Sequence, residues 1–296
     1  MKQVASTVGL QLRLGTSITE LAQKALRLEL SCFQCFLTVQ ETGQSFVLKK
    51  QDQVSFGVLR EQFVGPLVLH GSYMSNLADP SYVTHPRLDH EMRLATQLGF
   101  THLILHAGAY PADCVREDGI SSVARVINQI LARTPKLTIV LENVAHGKRA
   151  IGGSLEDFQQ ILARIDKPEQ LQFCLDTAHA HSFGYDLIAS TGRTQLLDEF
   201  DRLCGRERLA LVHLNDTARP RGDTIDHHCA VGAGVLGVQA LPAFCVEPRL
   251  AEVPFLLEMP ELSEHDELAI VKQVVAWRNN GQHMPVISHE TLNCVR

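Results

Sequence analysis

Apolar residues fall along this chain in two alternating patterns. Short, nearly continuous apolar runs, as expected of strands buried on both faces, occur at Val4–Leu12, Cys32–Thr38, Pro66–His70, His102–His106, Thr138–Glu142, Leu171–Asp176, Leu209–Leu214 and Pro254–Glu258. Between them lie segments of helical length, among them Ile18–Leu30, Asp89–Leu98, Ser121–Arg133, Leu155–Ile165 and Gln195–Cys204. A last helix, Glu264–Arg278, follows the eighth strand with Ser263 as its N-cap. Eight strands alternating with helices over 296 residues predict an α/β fold, a (β/α)8 barrel. No linker or composition shift divides the chain, so residues 1–296 are expected to form a single domain. An open, doubly wound sheet would give the same alternation, but no glycine-rich phosphate loop follows the first strand.

Composition narrows the class. With 45% hydrophobic and 20% charged residues the chain has ordinary globular proportions, and no apolar run reaches the ~18 residues that span a bilayer. The opening MKQVASTVGLQLRLG lacks the apolar core and cleavage signature of a secretory signal, so a cytoplasmic location is expected, nucleoid-associated in a bacterium. The eight cysteines are scattered, which fits free thiols in a reducing compartment. Cys32 and Cys35 form a lone C-x-x-C inside a strand, where odd spacing sends them to opposite faces and favours packing over metal or redox work. A net charge of −6 argues against generic coating of nucleic acid, although a metal cluster could supply a local positive site.

The chemistry lies at the strand ends. The third strand ends LVLH at His70 and the fourth LILH at His106. The fifth ends IVLE at Glu142, and the sixth runs FCLDTAH through Asp176 to His179. The seventh supplies His213 in LVHLND, and the eighth Glu258 in FLLE. After the seventh strand, residues 216–236 form a Gly-, Pro- and Asp-rich stretch without helical period, containing Asp226 and His228; structureless connections of that length are usually functional. Six consecutive strands thus deliver a carboxylate or imidazole to the C-terminal end of a barrel, its active-site face.

Any one of these residues alone is better explained as a hydrogen-bonding group, and Asp176 or Thr177 could simply cap a helix. Six in a row are different, because converging charges would repel one another and bear the cost of desolvation. Metal ions remove that cost, and carboxylate and imidazole are the ligands that hard and borderline cations take. Nine candidate ligands exceed the needs of one ion. At about three protein ligands per catalytic zinc they suit two or three, and three divalent ions more than neutralise the four carboxylates.

The segments HGSYMSNLADP, LHAGAY, LENVAHG, CLDTAHAHSFGYD, VHLNDTARPRGDTIDHHCAVGAGVLG and LLEMP together resemble the endonuclease IV family of apurinic/apyrimidinic DNA repair enzymes, over about residues 65–260 and more loosely beyond. That resemblance implies a TIM barrel with three Zn2+ per chain, Mn2+ or Fe2+ being conceivable substitutes. It implies His70, His106 and a bridging Glu142 at one ion, and Glu142, Asp176, His213 and Glu258 at a second. His179, Asp226 and His228 fall to the third. The implied reaction is hydrolysis of the phosphodiester 5′ to an abasic site in double-stranded DNA, leaving a 3′-hydroxyl. In it a metal-bound hydroxide attacks phosphorus, and Glu142 and Glu258 orient the water. His181 has no metal role in this pattern and reads as a supporting or surface residue.

Departures concentrate near the N-terminus. The family's first-strand histidine is replaced by Gln11, and the loop FLTVQETGQSF after strand two carries neither Lys nor Arg. Tyr73 stands at the family's DNA-penetrating position, yet reads equally well as a rim tyrosine packed on a neighbouring loop. Lys148, Arg149, Arg219 and Arg221 lie in rim loops, either as phosphate contacts or as solvated surface. The rivals are a one- or two-metal sugar isomerase or epimerase on the same barrel, which lacks the third-ion set, and a non-catalytic DNA-binding relative. A monomer with no membrane association is expected.

Overall fold

The computed structural model describes residues 7–39, 44–73, 75–82, 86–134, 136–145 and 147–280. Eight strands form a closed barrel: β1 Val8–Gln11, β2 Cys32–Cys35, β3 Leu67–His70, β4 His102–His106, β5 Thr138–Glu142, β6 Leu171–Asp176, β7 Leu209–His213 and β8 Phe255–Leu257. Each pairs in parallel with the next, and β8 closes on β1 through Val8–Phe255, Gly9–Leu256 and Leu10–Leu257. The helices are α1 Ile18–Arg27, α2 Lys50–Arg60, α3 Pro86–Gln97, α4 Arg116–Arg133, α5 Leu155–Leu162, α6 Thr177–Phe183, α7 Ser190–Leu203, α8 Gly237–Cys245 and α9 Glu264–Asn280. The alternation therefore resolves as the closed barrel and not the open sheet. Strands β4, β5 and β6 match the apolar runs residue for residue; of the expected first strand, Val4–Ser6 lie outside the described residues.

Strand alternation separates two cores. Outward-facing Leu10, Phe33, Leu69, Leu103, Leu141, Phe173 and Leu257 pack with the helices. Inward-facing Cys32, Val68, Ile104, Val140, Cys174, Leu211 and Leu256 form a smaller buried cluster inside the barrel. Cys32 and Cys35 fall in different clusters, as their odd spacing requires, and burial pushes the Cys32 thiol up to about 12. At the same inward level β1 supplies Gly9. A Cβ there would stand 2.5 Å from the Cys32 carbonyl oxygen and 2.7 Å from both the Cys32 Sγ and the Leu256 Cδ2. Gly9→Ala is accordingly expected to destabilise the barrel by ~1–3 kcal/mol through overpacking, seen as a lower urea midpoint at an unchanged slope.

The position two residues beyond each of these eight residues shares its inward face. Those positions are Gln11, Gln34, His70, His106, Glu142, Asp176, His213 and Glu258. The convergence of the strand ends follows from a period of two read from a common floor.

Three helices depart from the apolar pattern. Helix α2 buries only Phe56, with Val54 and Val58 exposed, so it carries no apolar face to detect. Helix α8 holds Pro242 in its interior. Helix α6 begins directly at the end of β6, with no loop between, because the Asp176 side chain accepts the amide of His179 at 2.8 Å and caps it.

Candidate metal centre

Nine side chains meet at the C-terminal mouth. His70, Glu142, Asp176, His179 and His213 are at most 1% exposed and Glu258 is 8% exposed, burial that charged groups sustain only with partners. The side chains of His106, His228 and Asp226 form the outer edge. Among the described residues four groups have potential ligand atoms within 4.8 Å of one another: His70–His106–Glu142, Glu142–Asp176–His213–Glu258, Asp176–His179–His228, and Glu142–Cys174–His213, which overlaps the second and whose thiol burial keeps protonated. Asp226 joins the third, its Oδ1 lying 3.2 Å from Nε2 of both His179 and His228.

Glu142 faces two ways. Its Oε2 lies 3.1 Å from His106 Nε2 and 3.4 Å from His70 Nε2, and its Oε1 lies 2.9 Å from His213 Nδ1 and 3.3 Å from His179 Nδ1. Asp176 also divides its work, Oδ1 capping α6 while Oδ2 lies 3.5 Å from His228 Nε2 and 3.8 Å from His213 Nδ1. Capping of α6 through one oxygen thus leaves the other free to face the candidate ligands.

Backbone carbonyls orient two of the imidazoles. His70 Nδ1 donates to Gly71 O and His179 Nδ1 to Asn143 O, each at 2.8 Å, which turns both Nε2 atoms toward the carboxylates. The Nε2 atoms of His70 and His228 are buried without a hydrogen bond. Burial raises the Asp176 carboxyl despite its neighbouring imidazoles, whereas at Glu142 the imidazoles of His213 and His106 outweigh burial and hold the carboxyl well below the usual range. At His179 burial is outweighed in turn by Asp176, Asp226 and Glu142, which raise it well above the usual imidazole range. Buried carboxylates set this close to several imidazole nitrogens describe a donor set that fits divalent cations.

Three amides support these groups, and none stands out in the sequence. Asn143 Oδ1 accepts the Asp176 amide at 2.6 Å. Asn215 Nδ2 donates to Asp176 Oδ2 at 2.6 Å and to Glu258 Oε2 at 3.0 Å, while its Oδ1 accepts the Glu258 amide at 2.7 Å. Gln34, wholly buried, touches His213 and Glu258. Asn143 and Asn215 lie one and two residues past a ligand candidate, a proximity that could have marked them. Gln11 also stands at this level, its Oε1 buried and without a hydrogen bond.

The long connection after β7 is tied down by Asp216. Its carboxylate accepts the amides of Thr217, Gly232 and Gly234 at 2.9 Å and those of Leu236 and Gly237 at 3.1 Å. A Cβ on Gly234 would collide with the Asp216 carboxylate and the Thr217 carbonyl, so the G-x-G turn is a packing requirement. A two-residue ribbon, Asp216–Thr217 with His228–Cys229, completes the fold of this loop and sets His228 at the mouth. Asp216→Asn puts an amino group among five donors. It is expected to cost on the order of 3 kcal/mol and to loosen Asp226 and His228, detectable as a lower melting temperature and weaker metal retention.

The rim candidates divide. The Tyr73 ring packs 5.1 Å from His70, 5.3 Å from His106 and 5.2 Å from Phe36, yet 55% of the residue is exposed. Arg219 is paired with Asp223 at 2.5 Å and Arg221 with Asp186 at 2.7 Å, while Lys148 and Arg149 are exposed. His181 is 3% exposed and therefore not a surface residue; its carbonyl accepts the Gly222 amide, which ties α6 to the long loop.

A closed parallel barrel with its polar groups gathered at this mouth defines a xylose isomerase-like TIM barrel, and residues 23–280 match that family's model. The chain is 33% identical over 237 residues to the "Probable endonuclease 4" of Halorhodospira halophila, covering 77% of this chain and 80% of that protein. It is 28% identical over 276 residues to the protein of the same name from Methanosphaerula palustris, covering 90% and 96% respectively. The crystal structure of endonuclease IV from Thermus thermophilus superposes with a TM-score of 0.77 at 26% identity, over 92% of this chain and 98% of that one. Within the xylose isomerase-like barrels, the chain belongs to the endonuclease IV family. Among the described residues no helix is long and apolar enough to cross a membrane.

Proposed function

We propose that this protein is a metal-dependent endonuclease that hydrolyses the phosphodiester 5′ to an abasic site in double-stranded DNA and leaves a 3′-hydroxyl. The observation that carries this reading is the grouping of nine strand-end and loop ligands into three sets, the third of which, His179, Asp226 and His228, an isomerase of the same barrel does not need. His70, His106 and Glu142 would hold one ion; Glu142, Asp176, His213 and Glu258 would hold a second; His179, Asp226 and His228 would hold the third. Zinc suits these nitrogen and oxygen donors, with manganese or iron as substitutes. Bound divalent ions supply Lewis-acid activation of water and stabilise charge on the phosphodiester oxygens.

The chain's own groups perform the remaining tasks. Glu142 joins two sets because its oxygens face opposite ways, and with Glu258 it orients the attacking water. Glu258 is itself held by Gln34 on Oε1 and Asn215 on Oε2. The backbone bonds to His70 and His179 fix which ring nitrogen faces the cluster. Tyr73 covers the first set from the rim, where it can meet a flipped sugar or a neighbouring base. Lys148 and Arg149 are available to backbone phosphates, and Arg219 and Arg221 become so by exchanging Asp223 and Asp186 for a phosphate.

Protein purified without chelator is expected to carry more than one tightly bound transition-metal ion per chain and to cut a synthetic abasic duplex 5′ to the lesion. Plasma emission spectroscopy returning one ion or fewer would refute the three-set assignment and favour an isomerase.

A further inference from the structure

We propose that Gln34 is a positioning residue that fixes the tautomer of His213 and locks that imidazole to Glu258. This rests on the reading of His213 and Glu258 as ligands of the second ion. Gln34 lies two residues past Cys32 of the barrel floor, so β2 delivers it to the same inward level as the ligands, and it is 0% exposed. Its Nε2 donates to Glu258 Oε1 at 2.6 Å, and its Oε1 lies 3.0 Å from His213 Nε2.

The donor and acceptor roles follow by elimination. An ionised carboxylate only accepts, so the amino end of Gln34 must face Glu258. Its carbonyl end must then face His213, and a carbonyl only accepts, so His213 Nε2 carries the hydrogen. Nδ1 donates to Glu142 Oε1 at 2.9 Å while no ion intervenes; with the second ion bound and the ring neutral, the lone pair would be on Nδ1, which faces Glu142 Oε1, Glu258 Oε2 at 3.3 Å and Asp176 Oδ2 at 3.8 Å, the other members of the second set. His70 and His179 present Nε2 instead, because backbone carbonyls take their Nδ1 hydrogens. Substitution cannot remove those backbone partners, whereas the partner of His213 is a side chain that one substitution removes. A Gln at position 34 is the piece that both donates to a carboxylate and accepts from an imidazole across one short span.

The test uses two variants with different consequences. Gln34→Met preserves volume and removes both bonds; Gln34→Glu preserves shape and the acceptor toward His213 but removes the donor to Glu258. In the zinc-loaded full chain, long-range 1H–15N correlation should show His213 protonated at Nε2 in the wild type and in Gln34→Glu, and lose that signature in Gln34→Met. Competition with a metal-sensitive dye should show one ion bound ~10–100-fold more weakly in Gln34→Met, the usual effect of losing a group that orients a ligand, with the remaining ions unchanged. Melting of chelator-stripped protein separates this from a packing role, which would lower stability and leave ion affinity intact. Wild-type affinity and an unaltered His213 signature in Gln34→Met would overturn the proposal. A wild-type protein that binds no second ion would instead overturn the reading on which it rests. Should Gln34→Met fail to fold, Gln34→Glu carries the test alone: loss of the Nε2–H signature in that variant, which keeps the acceptor, would overturn the proposal.

Discussion

Glu142→Gln is expected to reduce cleavage of an abasic duplex by ~10²–10³-fold, the usual loss when a stabiliser of transition-state charge is removed. The two oxygens of Glu142 serve different neighbours: Oε2 faces His70 and His106, and Oε1 faces His213 and His179. A glutamine keeps the shape but offers one acceptor where two are needed, and turns an amino group toward ring nitrogens or a cation. Binding of abasic DNA depends on rim contacts as well, so it should outlast cleavage. Single-turnover rates measured beside fluorescence-anisotropy binding separate the two effects. A variant that cuts at the wild-type rate would refute the bridging role.

His179→Ala is expected to lose one ion and nearly all cleavage, and His181→Ala to keep its ions and most of its rate. The two residues share one short helix but not one environment. His179 Nε2 lies 3.2 Å from Asp226 Oδ1 at the mouth, and its Nδ1 is held by the Asn143 carbonyl. Without it the third set keeps only Asp226 and His228 on a loop. His181 packs beneath residues 219–224, where burial and Arg221 lower its pKa. Its removal should cost stability before rate, and a supporting role toward the centre would cost no more than ~10–100-fold. Metal content and rate measured on both variants decide the assignment; greater damage from His181→Ala would mean that the register of α6 is misread.

Much of this was legible in the sequence because strand periodicity is strict. Once apolar runs mark buried strands, the polar residue ending each run must share a face with the residue two before it. His106, Glu142 and Asp176 therefore declared themselves at the exact ends of β4, β5 and β6. Gln34 obeys the same rule but hides in CFQC, where a neutral amide among apolar residues passes for packing. Helix α2 stayed hidden because helical period is detectable only where a face is buried, and Phe56 alone supplies it. The cap on α6 went unresolved because nothing in DTAHAH says that a ligand oxygen and a capping oxygen can belong to one carboxylate. Asp216, in the same VHLND segment as His213, was passed over because a carboxylate that binds five amides looks in sequence like any loop aspartate.

The cluster of Cys32, Val68, Ile104, Val140, Cys174, Leu211 and Leu256, closed at its eighth position by the tight fit around Gly9, has a consequence for water supply. Among the described residues its members are 0% exposed, so it forms an apolar floor that separates the candidate ligands from the opposite end of the barrel. On the proposed reading, a duplex settling over the mouth would cover the side that carries these polar groups, and the water consumed in hydrolysis would have to be in place beforehand.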